Sequence, residues 1–272
     1  MALSSVFEEA GTSIGKWELH KRLETPFSYG VLTTFATLLV LAGSAVIRWD
    51  AQAFQWASVP TLALRVVLDI LLAVVVIHAI KRADRSTFGF LRTLTIPFLL
   101  VVDIVLAYRI DFIQIVGMTL VVLALFLLFI NHGFSRKGAW LTVCGALLAV
   151  VTASLFKYNI THYNSPEVEQ GVVFFAMLLF FIGMGFWYEK KNPFRLFRHG
   201  VCWAQAGLMG FGAVLGSLSF LYAAPSVLMT VKRAVAIFAS IASGNAVFHE
   251  KKLLLKVFAG VLVVIGFVLL LF

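Results

Sequence analysis

Long uninterrupted apolar segments constrain this chain of 272 residues more than any other feature. A helix needs about 20 apolar residues to cross the hydrocarbon of a bilayer. Segments near that length lie at 27–47, 58–80, 87–108, 112–131, 138–156, 170–188, 200–222, 226–248 and 253–272, and a weaker one lies at 2–16. They are too long and continuous for barrel strands, which alternate in hydrophobicity over about 10 residues. Since 61% of the residues are hydrophobic, we expect an all-α polytopic membrane protein with about ten transmembrane segments, the first one short.

Basic residues are distributed unevenly between alternate loops. One set of loops carries fifteen: Lys16, Lys21, Arg22, Lys81, Arg82, Arg85, Arg136, Lys137, Lys190, Lys191, Arg195, Arg198, Lys251, Lys252 and Lys256. The other set carries only Arg48, Arg109 and Lys157. The positive-inside rule places the richer set in the cytoplasm and Phe272 outside. We therefore expect a multi-pass protein of the plasma (inner) membrane. The net charge of +9 then reflects topology, and nucleic acid is not an expected partner.

Two adjacent cations, Lys232 and Arg233, interrupt the apolar run 226–248. A cation at the bilayer centre costs about 2.5–3.5 kcal/mol on insertion scales. The two suggest a water-filled cavity and a negatively charged ligand. The alternatives are an interhelical ion pair with Asp69 or Asp103, or snorkelling to an interface.

The two halves of the chain share a pattern, which predicts repeats at 1–132 and 133–272. Matching residues recur at nearly one offset: 141 for Lys16 and Lys157, 141 for Arg92 and Arg233, and 140 for Pro26 and Pro166. Five segments in each half would place the second repeat upside down relative to the first. Such inverted repeats are typical of transporters that bind substrate near the midplane.

The end of the chain resembles the last two helices of the EamA group of the drug/metabolite transporter superfamily. The resemblance rests on the stretch 224–251, with Lys232-Arg233 in a helix and a Phe248-His-Glu250 turn, followed by a helix with Gly260 and Gly266. Arg92, Pro97 and Gly117 repeat this pattern in weaker form, and Lys16-Trp17 is similar to the close of the family's first helix.

This resemblance implies ten helices and movement of a small polar metabolite by alternating access. Sugar-phosphate carriers of the superfamily have a similar Lys-Arg pair that engages the phosphate, so the resemblance implies the same role for Lys232 and Arg233. Two features depart from the family pattern. The first helix is short and carries Glu8 and Glu9, and the charge count places the C-terminus outside, whereas the family usually keeps both termini in the cytoplasm.

The predicted substrate-binding residues are Lys232, Arg233 and Arg92, the repeat mate of Arg233. An Arg fork matches phosphate or carboxylate oxygens, and Lys adds a compact charge. Adjacent helical residues point about 100° apart, so only one of the pair is expected to face the cavity squarely. We expect an anionic small-molecule substrate, membrane lipid as a further partner, and a homodimer as one assembly open to the chain.

Five acidic or basic residues are candidates for coupling or gating: Glu8, Glu9, Arg65, Asp69 and Asp103. Glu8 and Glu9 would suit proton coupling if 2–16 is a membrane helix, and would be solvated if it is interfacial. Arg65 and Asp69 are spaced i,i+4 and can pair with each other, so a structural pair and a gating pair are both open. Lys16 and Lys157 are candidates for interfacial anchors, ion pairs or gates.

The remaining patterns indicate packing. Gly207, Gly210, Gly212 and Gly216 would form a face for close helix approach, and Cys144 and Cys202 suit small buried positions. We find no catalytic motif, metal cluster or cofactor site, and expect no enzyme. The alternatives to a transporter are a flippase for a lipid-linked phosphate on the same fold and a non-transporting scaffold.

Overall fold

The computed structural model describes residues 1–20, 25–49, 53–82, 91–130, 138–190, 192–235 and 253–270, and these ranges are helical without a strand. The helices are α1 (Ala2–His20), α2 (Pro26–Ile47), α3 (Val59–Arg82), α4 (Thr95–Val105), α5 (Phe112–Ile130), α6 (Ala139–His162), α7 (Pro166–Trp187), α8 (Gly200–Ser219), α9 (225–235) and α10 (Leu253–Leu269). Short 3-10 turns at Trp56–Ser58, Arg92–Leu94 and Pro193–Arg198 precede α3, α4 and α8. The predicted Phe248–Glu250 turn lies outside the described residues.

Five stretches within the described ranges are long and apolar enough to cross a membrane: Phe27–Ile47, Trp56–Val76, Ala139–His162, Pro166–Trp187 and Gly200–Ser219. A shorter apolar stretch is Phe112–Ala124. The expectation of an all-helical protein is therefore confirmed for these residues, and five of their helices are long and apolar enough to cross a membrane.

The helix starts follow from local sequence. Thr25 and Ser165 adopt extended backbone conformations, and each is followed by a proline at the first helical position. Proline fits there because its fixed φ is helical and its missing N–H would have no intrahelical partner. The Ser165 hydroxyl also accepts a hydrogen bond from the N–H of Val168 at 3.4 Å, which caps α7.

Three pairs of helix starts share nearly one spacing, whereas α1 and α6 begin 137 residues apart and α4 and α9 begin 130 apart. Pro26 and Pro166 are 140 residues apart, Val59 and Gly200 are 141 apart, and Phe112 and Leu253 are 141 apart. These values match the offsets of the sequence pattern.

The chain divides into two compact units. Unit 1 contains residues 1, 3–70 and 155–222, and unit 2 contains residues 2, 71–154 and 223–272. Each unit contains helices from both predicted repeats, because the units are defined by contacts between helices and not by position along the chain. The repeats at 1–132 and 133–272 stay a prediction.

In unit 1, α2 packs against both α7 and α8. Its apolar contact with α8 and the preceding 3-10 turn forms a buried cluster: Leu32, Ala36, Leu196, Cys202 and Ala206. Cys202 therefore occupies the small apolar position that the sequence suggested. The helices α2 and α7 are antiparallel, because Arg48 reaches Glu167 at one end and Phe27 reaches Glu189 at the other. We call these the Asn164 end and the Glu189 end of unit 1.

Small residues bring α1 and α8 together in unit 1. A Cβ added at Gly212 would lie 2.7 Å from Glu8 Cγ, and one at Gly216 would lie 2.9 Å from Ser4 Oγ. Ser4 Oγ donates a hydrogen bond to the carbonyl of Gly212 at 2.7 Å. Gly210 packs instead on the backbone of Thr37 in α2, while nothing lies within 4 Å of a Cβ at Gly207. The predicted glycine face thus divides between two neighbours, with Gly207 outside it.

The first helix is longer than its apolar segment, and it is not among the five stretches that are long and apolar enough to cross a membrane. The apolar segment ends near residue 16, but α1 continues through nineteen residues to His20. At 1.5 Å per residue this is about 28 Å, close to the hydrocarbon thickness. The polar residues at its end extend the helix because helical hydrogen bonding does not require apolar side chains.

In unit 2, α5 and α10 cross at a pair of glycines. A Cβ at Gly117 would meet the carbonyl oxygen of Gly266 at 2.7 Å, and a Cβ at Gly266 would meet that of Gly117 at the same distance. Only glycine permits this approach of two backbones.

Candidate functional site

Arg65 lies in the second turn of α3 and is 3% exposed. Its Nε lies 3.3 Å from Asp69 Oδ2, the i,i+4 neighbour, so the predicted pair forms. Its Nη1 donates to Glu169 Oε1 at 3.0 Å and its Nη2 donates to Gln170 Oε1 at 2.6 Å. The guanidinium also lies 4.4 Å from the ring centroid of Phe156, a favourable position for a cation. Arg65 therefore connects α3 to α7 as well as to Asp69.

Glu169 is the most enclosed charged residue of this group, with no exposed surface. Its Oε1 accepts hydrogen bonds from Arg65 and from Asn159 Nδ2, the latter at 2.7 Å. Its Oε2 accepts one from Asn164 Nδ2 at 2.6 Å. All three partners donate, so the carboxylate has the acceptor-only chemistry that this position requires.

The two asparagines extend the contacts to the start of α3. Asn164 Oδ1 accepts from the backbone N–H of Gln55 at 3.1 Å. This bond fixes the amide orientation, because a backbone N–H can only donate. Asn159 Oδ1 accepts from the Thr61 hydroxyl at 2.7 Å. We call the whole group the Glu169 cluster: Ser58, Thr61, Arg65, Asp69, Asn159, Asn164, Glu169 and Gln170.

A second buried carboxylate, Glu167, lies two residues nearer the start of α7. Its Oε1 accepts from Arg48 Nη1 at 2.8 Å, and the Arg48 side chain is 34% exposed. Arg48 borders an open depression of about 290 Å³ at the Asn164 end of unit 1. Its lining includes Arg48, Tyr163, Asn164 and Ser165. A hydrogen bond with Tyr158 raises the pKa of the Tyr163 hydroxyl above its ordinary value.

Lys157 adds a second buried cation to unit 1. It is 9% exposed, and its Nζ donates to the carbonyl oxygen of Phe220 at 2.5 Å, just beyond the end of α8. This bond satisfies a carbonyl that a helix end leaves open. Lys157 therefore lies inside the protein rather than at an interface. Its proposed repeat mate, Lys16, lies in α1.

Unit 2 contains the predicted substrate-binding residues. Arg233 in α9 is 7% exposed, whereas its neighbour Lys232 is half-buried. Adjacent helical residues point about 100° apart, which accounts for their different burial, and which of the two faces a cavity stays a prediction. Arg92 is half-buried in the turn Arg92–Leu94 before α4. Asp103 in α4 is fully buried and accepts a hydrogen bond from the N–H of Ser226 at 2.7 Å, which caps the first turn of α9.

Glu8 and Glu9 lie in the first half of α1, and both are half-buried. The Glu8 side chain packs against Gly212 of α8. The structure thus places the two glutamates in unit 1 and on a different helix from the Glu169 cluster.

Sequence reasoning missed Glu167, Glu169, Asn159, Asn164 and Gln170. The hydropathy pattern started the seventh segment at residue 170, which assigned both glutamates to a loop. The local signal was Ser165-Pro166, a capping residue followed by proline, which predicts a helix start at 166. Within the described ranges, no group of three or more His, Cys, Asp or Glu residues is placed to hold a metal ion.

Comparisons with known proteins show a shared fold and no family. No protein-family model matches the chain, and no curated protein matches it. Among solved structures, 26 chains match. One of them, described only as "Crystal structure of protein", superposes with a TM-score of 0.70 over 98% of this chain and 98% of its own, at 13% identity. At this identity the likeness shows a shared fold alone.

Proposed function

We propose that this protein is a secondary transporter of the EamA kind, with ten transmembrane helices in two inverted repeats. It moves a small polar metabolite carrying a phosphate or carboxylate group by alternating access. The burial of Arg233 carries the proposal: a 7% exposed guanidinium lies beside half-buried Lys232 in a helix that the sequence predicts to cross the bilayer. Ionisable residues inside membrane segments mark substrate or ion pathways.

Two further observations support this proposal. Three of the five helix pairs begin 140 to 141 residues apart, which supports a duplication of those helices. The ends of α2 and α7 that meet in unit 1, at Arg48 and Glu167, both belong to the side that the loop charges assign outside the cytoplasm. The direction of neighbouring helices therefore agrees with the charge count, which supplies the orientation proposed here.

The test is uptake into proteoliposomes of labelled sugar phosphates, nucleotides, carboxylates, amino acids and cationic drugs. We expect uptake of one anionic class by wild type, a loss of at least about tenfold in Arg233→Ala, and partial recovery in Arg233→Lys, which keeps the charge but not the fork. The matched control is Arg195→Ala, since Arg195 is exposed in the turn Pro193–Arg198. Equal uptake of cations or neutral amino acids by wild type and Arg233→Ala would refute the anion assignment. No uptake across the panel would contradict transport.

A further inference from the structure

We propose that the Glu169 cluster is a latch that holds α3, α6 and α7 together at the Asn164 end of unit 1, and that this latch opens and closes during the transport cycle. The proposal rests on the proposed function, since a latch of this kind has a role only in a protein that changes conformation. It assigns to Glu169, Asn159 and Asn164 a task distinct from substrate binding.

The depression at the Asn164 end of unit 1 borders the Glu169 cluster. The depression of about 290 Å³ is lined by Asn164, and the same side chain donates to Glu169 at 2.6 Å. Asn164 is 4% exposed and Glu169 is fully buried. Asn164 therefore belongs both to the lining of the depression and to the layer of hydrogen bonds around Glu169, so separation of those bonds would open Glu169 to the depression.

Hydrogen bonds of the cluster join α3 to both α6 and α7. Thr61 of α3 bonds Asn159 of α6 at 2.7 Å, and Arg65 of α3 bonds Glu169 of α7 at 3.0 Å. On the far side, Gln170 Nε2 donates to Ser217 Oγ of α8 at 2.8 Å. Side-chain hydrogen bonds between membrane helices contribute only about 0.6 to 2 kcal/mol each. A small number of such bonds can therefore break and reform together, which gives two discrete arrangements.

The cluster contains one cation and two carboxylates. Arg65 lies between two carboxylates, Glu169 at 3.0 Å and Asp69 at 3.3 Å. An anionic substrate would meet this acidic surplus unfavourably. The cluster therefore suits contact between protein groups, and the proposed anion contacts belong to α9 in unit 2.

The test measures the distance between α3 and α6 by double electron–electron resonance in lipid nanodiscs. Spin labels are placed at Ala57→Cys, in the turn before α3, and at Thr161→Cys, near the end of α6. Both sites are exposed. The two native cysteines are first replaced, as Cys144→Ala and Cys202→Ala.

Glu169→Gln is the first variant. Its amide must present an NH₂ group to Arg65 and Asn159 or to Asn164, all of which donate to Glu169. We expect the ratio of the long to the short distance population to rise at least about tenfold, because charge-assisted hydrogen bonds are about twice as strong as neutral ones. The matched control is Glu167→Gln. Glu167 is a buried carboxylate two residues away on the same helix, but its partner Arg48 follows α2, so the α3–α6 distance should not change.

A second variant, Asn164→Ala, keeps the Arg65–Glu169 pair and removes the link to Gln55 and Ser58. We expect a smaller shift in the same direction, and this variant decides the question if Glu169→Gln does not fold. Unchanged distances in the folded variants would overturn the latch.

Uptake is measured separately on the same variants. Wild-type uptake with unchanged distances would reject the latch and leave transport standing. Shifted distances without uptake of any substrate by wild type would support the latch as a moving element and reject the proposed transport.

Discussion

Removing Arg65 should destabilise the protein more than removing its partner Glu169. In Arg65→Met, two carboxylates lose their cation, since Arg65 lies 3.0 Å from Glu169 and 3.3 Å from Asp69. The cost of breaking a buried ion pair by deleting one partner is about 3–5 kcal/mol. In Glu169→Met, Arg65 keeps Asp69, whose side chain is 15% exposed. We therefore expect the free energy of unfolding to fall by about 3–5 kcal/mol in Arg65→Met and by less in Glu169→Met.

The double variant Arg65→Met/Glu169→Met completes the cycle. Its destabilisation should be smaller than the sum of the single values by about 0.5–3 kcal/mol, the range found for residues in one network. The assay is reversible unfolding in mixed micelles by titration with SDS.

Arg48→Met is the matched control, because Arg48 is 34% exposed in its pair with Glu167, and a pair so open to solvent contributes about 0–1 kcal/mol. A loss below about 1 kcal/mol in Arg65→Met, or exact additivity in the cycle, would refute the reasoning.

Two further predictions concern unit 2 and use the same unfolding assay. Gly266→Ala should cost about 1–3 kcal/mol, because its Cβ would lie 2.7 Å from the carbonyl oxygen of Gly117; Gly183→Ala, where nothing lies within 4 Å, is the control and should not destabilise, and equal values for the two would contradict the crossing. Asp103→Ala should cost about 0.5–2 kcal/mol through loss of the cap on Ser226, while Asp103→Asn, which keeps an acceptor, should lose less; the opposite order would reject the cap.

The parts of the fold that the sequence predicted are those written in local spacing. The i,i+4 spacing of Arg65 and Asp69 gave a pair that the structure contains. The proline at 26 precedes the predicted segment 27–47, and α2 begins at that proline. Such features depend on a few neighbouring residues, so periodicity and capping preferences are sufficient to read them.

The Glu169 cluster could not be read in the same way, because its contacts are distant in sequence. Arg65 and Glu169 are 104 residues apart, and Gln55 and Asn164 are 109 apart. Hydropathy also worked against it, since Glu167 and Glu169 lower the score of the first turn of α7 and move the predicted start to residue 170. Only packing of α3, α6 and α7 shows that these polar side chains satisfy one another away from solvent.

The Glu169 cluster also changes the basis of the anion argument. Within the predicted spans the sequence has four cations, Arg65, Arg92, Lys232 and Arg233, and two aspartates, Asp69 and Asp103, which alone would make the membrane interior positive overall. Glu169 and Asp69 together neutralise Arg65 where it lies, so Arg65 adds no attraction for an anion. The remaining cations are buried Arg233 and half-buried Lys232 on one turn of α9, and Arg92, the predicted repeat mate of Arg233. A phosphate or carboxylate is recognised by oriented donors within a few ångströms and not by net charge, so the case for an anionic substrate rests on that turn of α9.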